Sequence, residues 1–223
     1  MMTHEKSSKA PQSQTPTWVR KLLVPVLIGG VVGFAASTTA LQFIDSSAIG
    51  VLGKSSTIAA LVGVFYIVIG LGVGLGTASP KVGARFLNVE DADELREQRK
   101  LLSYSGAAMV LWGVALVGLA LAAPDGPVPQ SAALALGAGG LVFGALLSFP
   151  VYRLSDELMR AVNLEAGAIS YWLVVLVAGG WAMLAHLGYV TLFAPLDLLT
   201  LFYVLVLVAS IIAVGRRGML APR

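Results

Sequence analysis

Cysteine is missing from all 223 residues, which excludes disulfides, thiolate metal ligands and thiol redox chemistry in one step. Charge is scarce too. Only 12% of the residues are charged while 57% are hydrophobic, against about 25% charged in an ordinary soluble domain. The chain therefore has about half the polar covering that a water-facing fold requires. Lipid is the environment that such a surface fits.

The catalytic vocabulary is equally thin. The two histidines, His4 and His186, are too far apart in sequence to be read as a ligand pair. There is no phosphate loop, no HExxH zinc motif and no dinucleotide fingerprint. The glycine-rich runs lie within apolar segments rather than after strands. A rhomboid-like protease needs a GxSG serine facing a histidine. Tyr104-Ser105-Gly106 lacks the leading glycine, and Ser105 and His186 are expected at opposite ends of their spans, about 30 Å apart. A hydrogen-bonded catalytic pair needs about 3 Å. A phosphatidyltransferase-like site needs several aspartates around divalent metal, and Asp125-Gly126 reads as an isolated turn. These absences point to a protein that is not an enzyme and holds no metal or cofactor.

What is present is a series of six continuous apolar runs: Leu22 to Ile44, Ile58 to Ala78, Leu101 to Ala123, Ala132 to Tyr152, Ala166 to Tyr189 and Leu196 to Val214. Each has the ~20 residues that a helix needs to cross about 30 Å of hydrocarbon. None shows the two-residue alternation of a barrel strand. The expected fold is an all-α, six-helix transmembrane bundle over residues 18–215. A disordered polar tail over 1–17 and a short basic tail over 216–223 flank it. The first run is longer than the core of a cleavable signal, ~7–15 residues, and is read as a retained span.

Lysine and arginine set the expected orientation, because they are retained on the cytoplasmic side. With the N-terminus inside, fourteen of the fifteen basic residues fall in inner segments and only Lys54 falls outside. Both termini are then cytoplasmic, and the membrane is taken to be a bacterial inner membrane. The net charge of +3 is explained by this asymmetry, with no nucleic-acid partner.

Two inner connections look alike. Asp93-Glu94-Leu95 and Asp156-Glu157-Leu158 lie 63 residues apart, each with a leucine eight residues after the aspartate. Acidic residues favour the first turn of a helix, and Asn88 and Ser155 are candidate N-caps. The pattern predicts a duplicated hairpin in which the third and fifth membrane helices start in the cytoplasm and rise without a break.

Small residues crowd the spans. Gly29–Gly33, Gly70–Gly74, Gly72–Gly76 and Gly140–Gly144 are GxxxG pairs, whose four-residue spacing puts both glycines on one helix face. Gly29, Gly33, Gly70, Gly74, Gly140 and Gly144 are the candidate packing or oligomer residues. No ionisable residue lies near the centre of a span, where one would mark an ion or proton path. Asp197 is read as an acidic first-turn residue, Glu165 as lying at the inner start of the fifth span, and His186 as interfacial.

The leading functional expectation is a non-enzymatic accessory or scaffold subunit of a membrane complex, with a membrane-protein partner or a second copy of itself. Arg96, Arg99, Lys100, Arg153 and Arg160 in the wet loops are the candidate contacts to a partner or to anionic lipid. The alternative is a transporter or permease for a small neutral or amphipathic solute. It calls for an internal cavity lined by Ser170, Tyr171 or Tyr203.

Overall fold

The computed structural model describes residues 52–83, 92–124 and 126–219, with Ala35, Thr38, Thr39 and Gln42 as isolated helical positions. Apart from one isolated bridge between Ala122 and Val128, the regular structure among the described residues is helical. In chain order the helices are α1 (Lys54–Ala78), α2 (Pro80–Gly83), α3 (Ala92–Glu97), α4 (Arg99–Ala120), α5 (Gln130–Leu154), α6 (Glu157–His186) and α7 (Pro195–Arg216). Within α6, residues Val174–Gly179 wind as a π-helix. Five of these helices, α1 and α4 to α7, are long and apolar enough to cross a membrane. The expected span from Leu22 to Ile44, with Gly29 and Gly33, and the tail over 1–17 lie outside the described residues.

The helix boundaries follow local chemistry. Extended Gly53 precedes α1, and Ser79-Pro80 closes it. Proline suits the first turn of a helix, where its missing N–H costs nothing, and Pro195 opens α7 in that way. At the other end of α7, Gly218 adopts φ +69°, the left-handed conformation that a helix C-terminus commonly needs and that glycine tolerates. At the start of α6 the cap is Asp156, whose carboxylate accepts the Met159 N–H at 2.7 Å. Ser155, the residue expected there, instead donates its hydroxyl back to the Val151 carbonyl at 2.7 Å and finishes α5.

The two similar acidic segments have different structures. The first forms the separate short helix α3, which ends before Gln98, so α4 does not continue from it. The second starts α6 directly, and α6 runs unbroken for 30 residues, about 45 Å. The hairpins also differ in packing. α1 and α4 lie against each other along their lengths. α5 and α6 leave the Ser155-Asp156 corner without comparable packing between them. Asn88, the other candidate cap, lies outside the described residues.

Neighbours in the packing order are α5–α4–α1–α7–α6. Close approaches of Gly63 to Gly113 and of Gly70 to Gly106 make α1 and α4 antiparallel. Gly137 against Leu119 and Gly140 against Ala115 do the same for α4 and α5. Consequently Lys54 and Asp197 stand at one end of the bundle. Arg99, Lys100, Arg153, Arg160, Arg216 and Arg217 stand at the other, the basic end.

Candidate functional site

The interior is built from backbone contact and internally satisfied hydroxyls. A Cβ added to Gly63 would sit 2.8 Å from the Gly113 carbonyl oxygen, and one added to Gly113 would sit 2.5 Å from that of Gly63. Gly70 and Gly106 are related in the same reciprocal way, at 2.5 and 2.8 Å. Gly63 to Gly70 and Gly106 to Gly113 are both seven-residue steps, two helical turns, so one face of each helix meets the other at two levels. Such contact gains dispersion energy that lipid cannot match. Gly140 lies against the Leu111 carbonyl, where an added Cβ would be 2.6 Å away, and Gly144 accommodates the Trp112 indole. Gly74 and Gly72 face open space. Sequence spacing singled out Gly70, Gly140 and Gly144. It passed over Gly63, Gly106 and Gly113, whose signal is the matched seven-residue step on two different helices.

Between the two crossings of α1 and α4, these helices and α7 share one polar node. The buried Tyr66 hydroxyl donates to the Tyr203 carbonyl at 2.7 Å, and the Tyr203 hydroxyl donates to the Trp112 carbonyl at 3.1 Å. The two rings meet edge to face with centroids 5.1 Å apart. Each hydroxyl is satisfied by protein backbone, as an apolar solvent requires. Tyr203 therefore points into the bundle, while Tyr171 on α6 is exposed.

At the basic end the candidate contact residues separate into different settings. Arg160 folds back over the end of α5, donating to the carbonyls of Tyr152 and Arg153 at 3.3 Å each, with its guanidinium over the Tyr152 ring. Arg153 lies over the Phe149 ring at 4.5 Å. Arg96 pairs with Asp93. Arg99 lines a groove of about 560 Å³ between α1 and α4, beside Thr77 and Ser103, and Lys100 is exposed. Glu165 lies two turns inside α6. It binds Arg217 at 2.9 Å and Arg216 at 3.4 Å, tying α6 to the end of α7. That bond was not foreseen, because the two partners are about fifty positions apart in sequence.

Among the described long helices, α6 is the least covered. None of the residues in its apolar stretch is buried, whereas the other four described long helices each bury part of their own. Tyr171 and Trp172 project outward, edge to face with centroids 5.5 Å apart, followed by exposed Leu176 and Met183. Gly167, Gly179 and Gly180 on the same helix have open space where a Cβ would be. The π-helical turn Val174–Gly179, which contains Leu176 and Gly179, follows the aromatic pair, and turns of that kind are frequent at functional positions.

Among the described residues no cluster of His, Asp or Glu is arranged to hold a metal ion. Ser105 donates to its own helix at Leu101, near the basic end, and His186 ends α6 at the opposite end. Comparison of the chain with protein-family models, with curated proteins and with solved structures finds no match.

Proposed function

We propose that this chain is a non-enzymatic accessory or scaffold subunit of a membrane complex, and that α6 is the surface through which it associates. The observation that carries this reading is the contrast on α6 itself. The helix has bilayer length, is uncovered along its apolar stretch, and combines an aromatic pair with unfilled glycines. Aromatic side chains supply large contact area at interfaces, and glycines admit a neighbouring helix backbone. The internal polar groups, by contrast, are consumed in holding the bundle together.

In this reading the chain spans a bacterial inner membrane six times, with the basic end in the cytoplasm. The sixth crossing is the apolar segment from Leu22 to Ile44. Lysine and arginine supply the orientation, and their gathering at one end of the helices supports it.

Photo-crosslinking in native membranes tests the proposal. A photoreactive residue at Trp172 or Leu176 is expected to give a discrete adduct with a second protein or a second copy. One at Phe143 on exposed α5 is expected to give lipid adducts only. Lipid-only adducts from all three positions would overturn it.

A further inference from the structure

At the Lys54 end a groove of about 440 Å³ opens between α1, α7 and the segment that follows α6. Its charged rim consists of Lys54, the first residue of α1, and Asp197, in the first turn of α7. The Asp197 side chain makes no hydrogen bond or ion pair among the described residues, and neither does that of Lys54. Asp197 nevertheless is only partly exposed. One helical turn further along each helix the lining becomes apolar, with Ile58 below Lys54 and Leu201 below Asp197. One side is closed by Trp181 and Phe193, stacked with centroids 4.8 Å apart. The Trp181 ring is fixed there because its Nε1–H donates to the Thr191 carbonyl at 2.9 Å.

We propose that this groove binds one phosphatidylethanolamine molecule, with its phosphate at Lys54, its ammonium at Asp197 and its acyl chains along Ile58 and Leu201. The charges select the headgroup. One unpaired cation and one unpaired carboxylate on the same rim complement a zwitterion. An anionic headgroup would leave the Asp197 carboxylate facing like charge, and an uncharged one would use neither group. A choline headgroup carries the positive charge but no N–H to donate to Asp197, and charge-assisted hydrogen bonds are the strong ones. The polarity gradient selects an amphiphile over a free zwitterion, because charge and apolar wall lie within about 6 Å along each helix, one turn. Stacked aromatic rings beside the rim suit headgroup depth, where Trp is enriched.

The test uses the full chain in mild detergent, titrated separately with phosphatidylethanolamine, phosphatidylcholine and phosphatidylglycerol of identical acyl chains. Native mass spectrometry reads the lipid-bound fraction. Phosphatidylethanolamine is expected to bind about fivefold more tightly than phosphatidylcholine, one charge-assisted hydrogen bond discounted for partial exposure, with phosphatidylglycerol weakest. Asp197→Asn is expected to remove the difference between the first two, and Lys54→Gln to weaken both together. Equal binding of the three lipids by the unmodified chain, tightest binding of phosphatidylglycerol, or a preference that survives Asp197→Asn would overturn the proposal. The ranking on the unmodified chain decides the matter even if a variant is not recovered folded.

Discussion

Helix α6 and the α1–α4–α5 sector are both apolar and rich in glycine, and they differ in what the glycines meet. In the sector, Gly63, Gly70, Gly106 and Gly113 are pressed against a neighbouring helix backbone, and Gly140 lies against Leu111 and Ala115. On α6, Gly167, Gly179 and Gly180 meet nothing. The same residue type thus closes one part of the molecule and leaves the other open. In lipid, where burial of apolar surface gives helices no advantage over contact with acyl chains, close backbone approach is a main source of association energy. The sector has already drawn on that source. α6 has not, and it is held to the rest through α7 and the Glu165 ion pairs.

The sharpest way to break the comparison is to add the same side chain on both sides of it. Gly113→Val would press a branched side chain into the Gly63 carbonyl and should cost about 3 kcal/mol, the upper range for overpacking. Gly167→Val should stay within about 0.5 kcal/mol, as open surface positions do. Thermal unfolding in mild detergent, followed by loss of the monodisperse species, compares them. Similar losses from both would show that the sector's glycines are not special.

A smaller effect is expected where α6 is tied down. Glu165→Gln removes both ion pairs with Arg216 and Arg217 while keeping the shape of the side chain. These groups are partly exposed, so the loss should be about 1 kcal/mol and should shrink as salt rises. Hydrogen exchange should show faster opening at the start of α6 and the end of α7, with α1 and α4 unaffected. Unchanged exchange at both helix ends would mean that packing against α7 alone positions α6.

The smallest effect belongs to the polar node. Tyr66→Phe removes one hydrogen bond and leaves the ring pair with Tyr203 in place. Hydrogen bonds between membrane helices average about 0.6 kcal/mol, so the loss should be of that order by the same unfolding assay. A loss several times larger would mark the node as a cooperative unit with Trp112.

Several features could be read along the chain without coordinates. The five described long apolar helices lie where continuous apolar runs place them, and most observed ends fall within a few residues of the expected ones. α6 begins at Glu157, ahead of its apolar run at Ala166, as the acidic segment Asp156-Glu157-Leu158 predicts. Local chemistry also has limits at the caps. Ser155 and Asp156 are both good cap residues, and only the path of the chain assigns the first to α5 and the second to α6. The acidic repeat shows the same limit more strongly, since one copy is a detached short helix and the other starts a 30-residue one.

The candidate sites were less legible still. Gly70 could be singled out by its spacing, but its partner Gly106 belongs to another helix and has no GxxxG mate. Glu165 and Arg217 are joined only because α6 and α7 run antiparallel. Asp197 reads as an ordinary first-turn acid, and it becomes a candidate ligand group only once Lys54 is seen on the same groove.

By itself the sequence determined the helical character, the described apolar helices and the gathering of cations in alternate connections between them, because apolar length and charge placement are properties of a single line of residues. Tertiary structure alone decided which faces meet, which glycines are occupied and which charges remain unpaired. A helix's spacing defines a face but says nothing of its neighbour, and the neighbour is what turns an open glycine into a packing contact.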